Sequence, residues 1–416
     1  MKAISLLSAS LAVGVLLGCH DETTAPTEPA RTTPLAAASA TSSLAFYQVS
    51  AGEEFNCGVT TDSLAYCWGL NADGSLGTGA DYGPDACADY VSCSTGPVAV
   101  AGGLRFRNLS TGGLFACGVT SGRRAYCWGD NYAGQLGDGT TSGKNRPVAV
   151  LGGRRFRQVS TGRHHTCGLA TDSLAYCWGL NASGQLGDGT TFNRNTPVPV
   201  YGGRHFSQVS AGDNHTCGIT IANVALCWGD NRYGQLGDST KVVRRLRPSR
   251  VAGGRRFLQL DGGGGHTCAV TTADLAFCWG VADFGQLGTG QTTPSFWPRA
   301  VAGSLTFRRV TAGWRHTCGE TTGNRAWCWG ANYFGQLGNG TDSGPETCFS
   351  NACSTRPVAV SGGLYFNQVS AGDVNTCART ASAVAYCWGT DMLGAVGDGG
   401  PWSQNHVKPT PVAGAS

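Results

Sequence analysis

The chain has 416 residues, with 30 lysines and arginines against 26 aspartates and glutamates and a formal net charge of +4. So small a surplus excludes the bulk electrostatics of a dedicated nucleic-acid binder. Its 19 cysteines, nearly all paired by their spacing, argue against a reducing compartment.

In chain order, Lys2 supplies a positive start and Ile4 to Gly18 an apolar run of about fifteen residues. That length suits a signal-peptide core and is short for a membrane span. Leu16-Leu17-Gly18-Cys19 resembles the lipobox of bacterial lipoproteins, which implies cleavage before Cys19 and acylation of its thiol and new amino group. His20 follows in place of Asp, which in that family fits transport to an outer membrane. An ordinary secretory peptide with an incidental cysteine is the alternative. Residues 1–18 are thus expected to be a leader. Residues 19–43, rich in Thr, Pro and Ala, read as a flexible tether. Residues 44–416 read as one folded domain, with no later stretch approaching a membrane span.

That domain repeats at about fifty residues, seven times over. Cys-Trp-Gly begins at Cys67, Cys127, Cys177, Cys227, Cys278, Cys328 and Cys387. Ten residues before each stands another cysteine: Cys57, Cys117, Cys167, Cys217, Cys268, Cys318 and Cys377. Two β-rich runs with a short polar joint read as a hairpin. If Cys167 faces Cys177, then Gly168 pairs with Tyr176, Leu169 with Ala175 and Ala170 with Leu174, leaving Thr171, Asp172 and Ser173 as the loop. Directly opposed cysteines are within reach of a disulfide. Each such bond constrains the unfolded chain by roughly 2.5 to 3 kcal/mol on the chain-entropy account. Zinc is the competing reading, but it usually takes thiolates two to four residues apart. Cys87 with Cys93 and Cys348 with Cys353 form two further local pairs. Cys19 is left alone, as a lipid-modified residue would be.

One unit, Phe156 to Gly203, carries four candidate strands: Phe156–Ser160, Thr166–Ala170, Leu174–Trp178 and Pro197–Tyr201. Between the last two sits Gly184-Gln185-Leu186-Gly187, echoed in every unit. The glycines suit tight turns and the leucine a core plug. No strand-to-helix context supports a dinucleotide loop. Four short strands per unit and seven units specify an all-β, seven-bladed β-propeller with a disulfide inside each blade. An open solenoid fits less well, since neither end of the array looks like a polar cap. The tryptophans at Trp68, Trp128, Trp178, Trp228, Trp279, Trp329 and Trp388 then pack between blades.

Val159-Ser160-Thr161-Gly162, His165-Thr166, Trp178-Gly179, Asn181 and Gly184-Gln185-Leu186-Gly187 together resemble the repeat of the regulator of chromosome condensation family. The resemblance covers about nine tenths of the chain and implies a seven-bladed propeller. Cysteine at Cys167 and its equivalents, and the export signal, depart from the eukaryotic pattern. Some members promote nucleotide exchange on a small nuclear GTPase, and propellers of similar repeat include secreted inhibitors of β-lactamases. Fold alone does not choose among such roles.

The recurring His165, His215, His266 and His316, and the loop aspartates Asp138, Asp188, Asp238 and Asp398, read as structural residues, because catalysis needs an asymmetric site. The expectation is a non-enzyme with no cofactor and no metal. Asymmetry enters at three places. Units one and six carry insertions, Ala80 to Thr95 and Asp342 to Thr355, expected two blades apart on one rim and offering Tyr82, Tyr90 and Phe349. Unit four carries Lys241, Arg244, Arg245 and Arg247, with Arg250, Arg255 and Arg256 beyond, as a possible site for anionic groups. Tolerated insertions and a solvated basic loop are the bland alternatives. The function expected is a monomeric, non-catalytic platform at the cell envelope, lipid-anchored at Cys19, binding a protein or glycan. The runners-up are an inhibitor or regulator of an exported enzyme, and guanine-nucleotide exchange.

Overall fold

The computed structural model describes residues 43–87, 91–402 and 404–415. The leader, Cys19, the tether as far as residue 42, and Tyr90 lie outside the described residues. Seven antiparallel sheets follow one another along the chain, each built from one contiguous repeat. In the third blade, Phe156–Thr161, His165–Ala170, Ala175–Gly179 and Arg194–Pro199 pair in simple up-and-down order.

The second and third strands take the register that the cysteine spacing requires. Cys167 faces Cys177, Gly168 faces Tyr176 and Leu169 faces Ala175. Ser173 closes the loop in the left-handed region at φ 71°, as a three-residue hairpin connection favours. All seven hairpins are bridged across Cα–Cα distances of 4.0 to 4.1 Å. Every one of these cysteines is fully buried.

Two features depart from the sequence expectation. The fourth strand starts at Arg194, three residues before Pro197, and ends at Pro199. The third strand bulges between Cys177 and Gly179, so that Gly179 pairs directly with Arg194. Pro197 is tolerated because it lies on an outer edge strand. The two insertions extend their sheets as well as their loops: Asp85–Ala86 pairs with Ser92–Ala99, and Glu346–Cys348 with Asn351–Ala359. Blades one and six are therefore five-stranded, and Cys87–Cys93 and Cys348–Cys353 staple the added edges.

Blades are joined through their tryptophans. Trp178 Nε1 donates to Gln135 O, Trp228 Nε1 to Gln185 O and Trp279 Nε1 to Gln235 O, each at 2.9 Å and each into the preceding blade. The second glycine of each turn lies flat on that indole. At Gly187 a Cβ would stand 2.6 Å from Trp228 Nε1, so only glycine permits the approach. Ring closure uses the same parts: Trp68 Nε1 donates to Ala395 O at 3.1 Å, and Phe46, Val49 and Trp68 pack with Cys377, Val396 and Val412. No strand is exchanged between the first and last blades among the described residues.

The recurring histidines reinforce these seams. His165 Nε2 lies 2.8 Å from Thr216 Oγ1, whose own proton goes to Gln185 O at 2.8 Å. The imidazole is therefore the donor, with its proton on Nε2, and His215, His266 and His316 repeat the arrangement. Each Nδ1 is buried without a partner. Burial holds His165, His266 and His316 down to about 3, and His215 to about 4. The unfolded chain accepts protons below about pH 6.5 that the folded blades refuse. Stability should thus be complete above that pH and fall towards pH 4. His266→Phe, the residue type that blades one and two carry here as Phe55 and Phe115, should flatten the decline by about 1.4 kcal/mol per pH unit. Urea unfolding across pH 4 to 7 measures the slope.

Candidate functional site

The up-and-down order sorts the connections onto two faces. The turn between the first and second strands and the long loop after the third share one end of each blade, as the bond from Leu180 N to His164 O (2.9 Å) shows. This is the loop face. The short turn of the hairpin and the link to the next blade share the other, where Phe206 N donates to Ser173 O at 2.8 Å.

On the loop face, inner turns ring the central channel and bond from blade to blade: Glu53 N to Gly112 O, Asp213 N to Gly263 O, Trp314 N to Gly372 O and Asp373 N to Gly52 O, at 3.0 to 3.3 Å. Their side chains vary around the ring, with five residue types in seven blades. Arg163 of blade three reaches Glu53 of blade one at 2.6 Å. The intervening blade two presents Gly113, where a Cβ would stand 3.2 Å from Glu53 Oε2. A side chain there would crowd the ion pair. Burial, then the neighbouring Glu53 and Asp213, push Asp373 up to about 8. Burial pushes Asp213 up to about 6 against the pull of Arg163. The mouth thus holds more carboxylate than its one arginine neutralises. Sequence reading missed this ring. Its signal was one variable position after a regular glycine: Glu53, Gly113, Arg163, Asp213, Gly264, Trp314 and Asp373.

Farther out on the same face, the two stapled hairpins flank blade seven. Tyr82 is 75% exposed and Phe349 is 70% exposed, while Met392, on the blade-seven loop between them, is 56% exposed. The three blades form one continuous rim. Gly340 N of blade six donates to Val407 O of blade seven at 2.9 Å, and Gly399 N of blade seven to Thr95 O of blade one at 2.8 Å.

The basic residues of unit four do not stay together. Their strand, Arg244–Arg250, runs the height of the blade. Lys241 and Arg244 are exposed at the loop face, whereas Arg250, Arg255 and Arg256 belong to the other end. Arg245 is bound to Asp238 at 2.9 Å, and Arg247 stacks 3.9 Å over the ring of Tyr201 from blade three. Arg255 covers Phe277 at 4.3 Å, and Arg256 caps Ala222 O at 2.6 Å. On that opposite face they join exposed Arg105, Arg154, Arg155 and Arg204 in an arc across neighbouring blades. The sequence signal was the recurring Gly-Gly-Arg at Gly152, Gly202 and Gly253, spaced too widely to read as a cluster.

Residues 93–416 match the profile described as the RCC1-like domain, and residues 46–75 that of the regulator of chromosome condensation (RCC1) repeat. The chain belongs to the RCC1-like family. Among curated proteins it is similar to the human and mouse E3 ubiquitin-protein ligase HERC2, at 34% identity over 105 residues, which is 25% of this chain but 2% of the length of that protein. Among solved structures it resembles Prp20p of Saccharomyces cerevisiae, with TM-score 0.71 and 20% identity over 89% of this chain and 88% of that one. It also resembles human WBSCR16, at 0.67 and 22% over 78% and 84%. A third likeness is the ectodomain of the Physcomitrella patens receptor kinase CR4, at 0.51 and 20% over 83% and 74%. At these identities the likenesses establish the fold.

The channel mouth sets a pH dependence opposite in sign to that of the histidines. A carboxyl held above its unfolded value keeps its proton in the folded chain alone, so its contribution is full near pH 4 and lost as pH rises through about 8. Asp373→Asn should therefore raise the melting temperature at pH 8.5 and leave it unchanged at pH 4.5, as differential scanning calorimetry at the two pH values will show.

Proposed function

We propose that this propeller is a non-catalytic binding platform of the cell envelope, exported by its leader, lipid-anchored at Cys19, and recognising a protein or glycan on the rim of blades six, seven and one. The observation that carries the reading is the pair of disulfide-stapled hairpins, each offering a largely exposed aromatic ring on either side of Met392. Stiffened loops lose little conformational entropy on binding, and exposed aromatics supply contact area. In contrast, the repeated histidines are spent in seams between blades. The CR4 ectodomain supports the placement, being a receptor ectodomain with a similar fold. The arginines on the opposite face give such a platform a second, anionic-ligand surface.

Nucleotide exchange is the second reading, favoured by the likeness to yeast Prp20p. Release of a labelled guanine nucleotide from a small GTPase should be unaffected by this protein if the platform reading holds.

The first experiment is a crosslinking pull-down from intact cells. Excising Ala80 to Thr95 would cut into the fourth strand of blade one, which begins at Ser92. The double substitution Tyr82→Ala, Phe349→Ala leaves both sheets intact. The unchanged protein should capture a discrete envelope partner that the double variant loses at least tenfold. Equal capture by the two forms would move the binding surface off this rim.

A further inference from the structure

The loop after the third strand is built on one plan in blades two, three and four. In blade two, Asn131 Oδ1 accepts from Leu136 N at 3.0 Å, while its Nδ2 donates into a nest of acceptors: Asp138 Oδ1 at 3.3 Å, Thr140 O at 3.2 Å and Ser142 O at 3.1 Å. Lys144 then balances Asp138 at 3.7 Å. Blades three and four repeat the set with Asn181, Asp188 and Arg194, and with Asn231, Asp238 and Arg245. In each, one carboxylate meets one permanent cation, and the buried amide fills the centre.

Blade seven breaks the plan at two of the three positions. The amide becomes Asp391 and the basic residue becomes His406, while Asp398 keeps its place. Asp391 is 1% exposed. Its Oδ1 still accepts from the backbone, from Val396 N at 2.7 Å. Its Oδ2 now occupies the amide nitrogen's role and has no hydrogen-bond partner. Where an N–H₂ group meets acceptors in blades two, three and four, this blade sets one more acceptor against them. The fixed charges no longer cancel: two carboxylates face an imidazole that need carry none.

The three side chains converge. His406 Nε2 lies 3.8 Å from Asp391 Oδ2 and 3.6 Å from Asp398 Oδ2, and one ligand atom from each residue fits within 4.8 Å of the others. Ligand atoms about a tetrahedral zinc stand roughly 3.4 Å apart for bonds near 2.1 Å. The imidazole is also oriented for the task. Thr410 Oγ1 gives its proton to Lys408 O at 3.2 Å and so receives the Nδ1 proton of His406 at 2.9 Å, which leaves the Nε2 lone pair facing the carboxylates. Fixing the ring through its other nitrogen is how proteins prepare a metal-binding histidine.

We propose that Asp391, Asp398 and His406 form a zinc(II) site in the blade-seven loop, on the rim between the two stapled hairpins. Two carboxylates match the charge of a divalent ion, and mixed nitrogen and oxygen donors suit zinc better than calcium or magnesium. Three protein ligands leave the fourth position to water or to a donor from outside the chain. His406 and Asp398 are 22% and 20% exposed, so that position opens towards solvent. Bound metal would cross-link the loop to the last strand of the ring, where Arg194 and Arg245 make that link with their own charge in blades three and four.

The test uses the folded domain stripped with a chelator and then dialysed against zinc, calcium and magnesium separately. One zinc per chain should be retained, with a rise in melting temperature, and cobalt(II) in its place should give the intense visible bands of a four-coordinate site. Asp391→Asn restores the residue that stands at Asn71, Asn131, Asn181, Asn231 and Asn332, so it should fold at least as well as the metal-free protein. It should lose zinc binding by about a hundredfold or more, and Thr410→Val by about tenfold. No zinc retention overturns the assignment, and the unpartnered oxygen is then held by a proton. Preference for calcium overturns the zinc identity. Undiminished binding in Asp391→Asn overturns the site, the metal then being adventitious.

Discussion

The fold depends on one contact made seven times: a glycine turn laid on the indole of the next blade, with that indole's N–H given to the turn's own backbone carbonyl. Each blade alone would leave a face of its sheet and a large ring in water. Closing the circle lets all seven tryptophans become fully buried. The carbonyl that accepts the indole also accepts a threonine hydroxyl from that next blade, as Gln185 O does from Thr216. Threonine in turn accepts from histidine, so aromatic, hydroxyl and imidazole are spent on one seam. Burying so many polar groups is tolerable because nearly all of them are paired. The unpaired Nδ1 atoms mark where the arrangement is most sensitive to acid.

Disulfides and seams divide the work. A hairpin bridged through Cys167 and Cys177 holds its register without help from neighbours, and the seams hold the hairpins in a circle. Outside the glycine turns that meet the next indole, the long loops after the third strands are free of these two restraints. They differ accordingly: two have grown edge strands and one has exchanged an amide for a carboxylate, while the inner turns beside them carry five residue types in seven blades. The charged mouth, the apolar rim and the convergent aspartates all sit on the face that these loops build.

Much of this was legible in the sequence because it repeats. The constant spacing from Cys167 to Cys177 gave the hairpin register, and Trp178 with its equivalents gave the packing between blades. The start of the fourth strand was misplaced by three residues because the bulge at Gly179 leaves no mark in hydrophobic alternation. The edge strands of blades one and six were hidden because Asp85–Ala86 and Glu346–Cys348 are short and polar. The basic stretch of unit four read as one patch, but a strand rising through the blade carries Arg244 and Arg250 to opposite faces. The channel mouth was invisible for the converse reason: Glu53 and Arg163 stand 110 residues apart and meet only across a closed ring. Asp391 was read past because the repeat draws attention to what is shared, whereas its chemistry lies in what differs.

The seam between the last blade and the first keeps the indole-to-carbonyl contact of the other six, with no strand borrowed to close it among the described residues. Leu44 and Ala415 are bridged side by side, so the two ends of the propeller meet at one point of the circle. In three dimensions the ring has no privileged beginning. A circularly permuted chain, cut between any two blades and joined across the present ends, would find the same seven seams waiting. An ancestral array could likewise have opened or gained a blade at any boundary without inventing a new clasp.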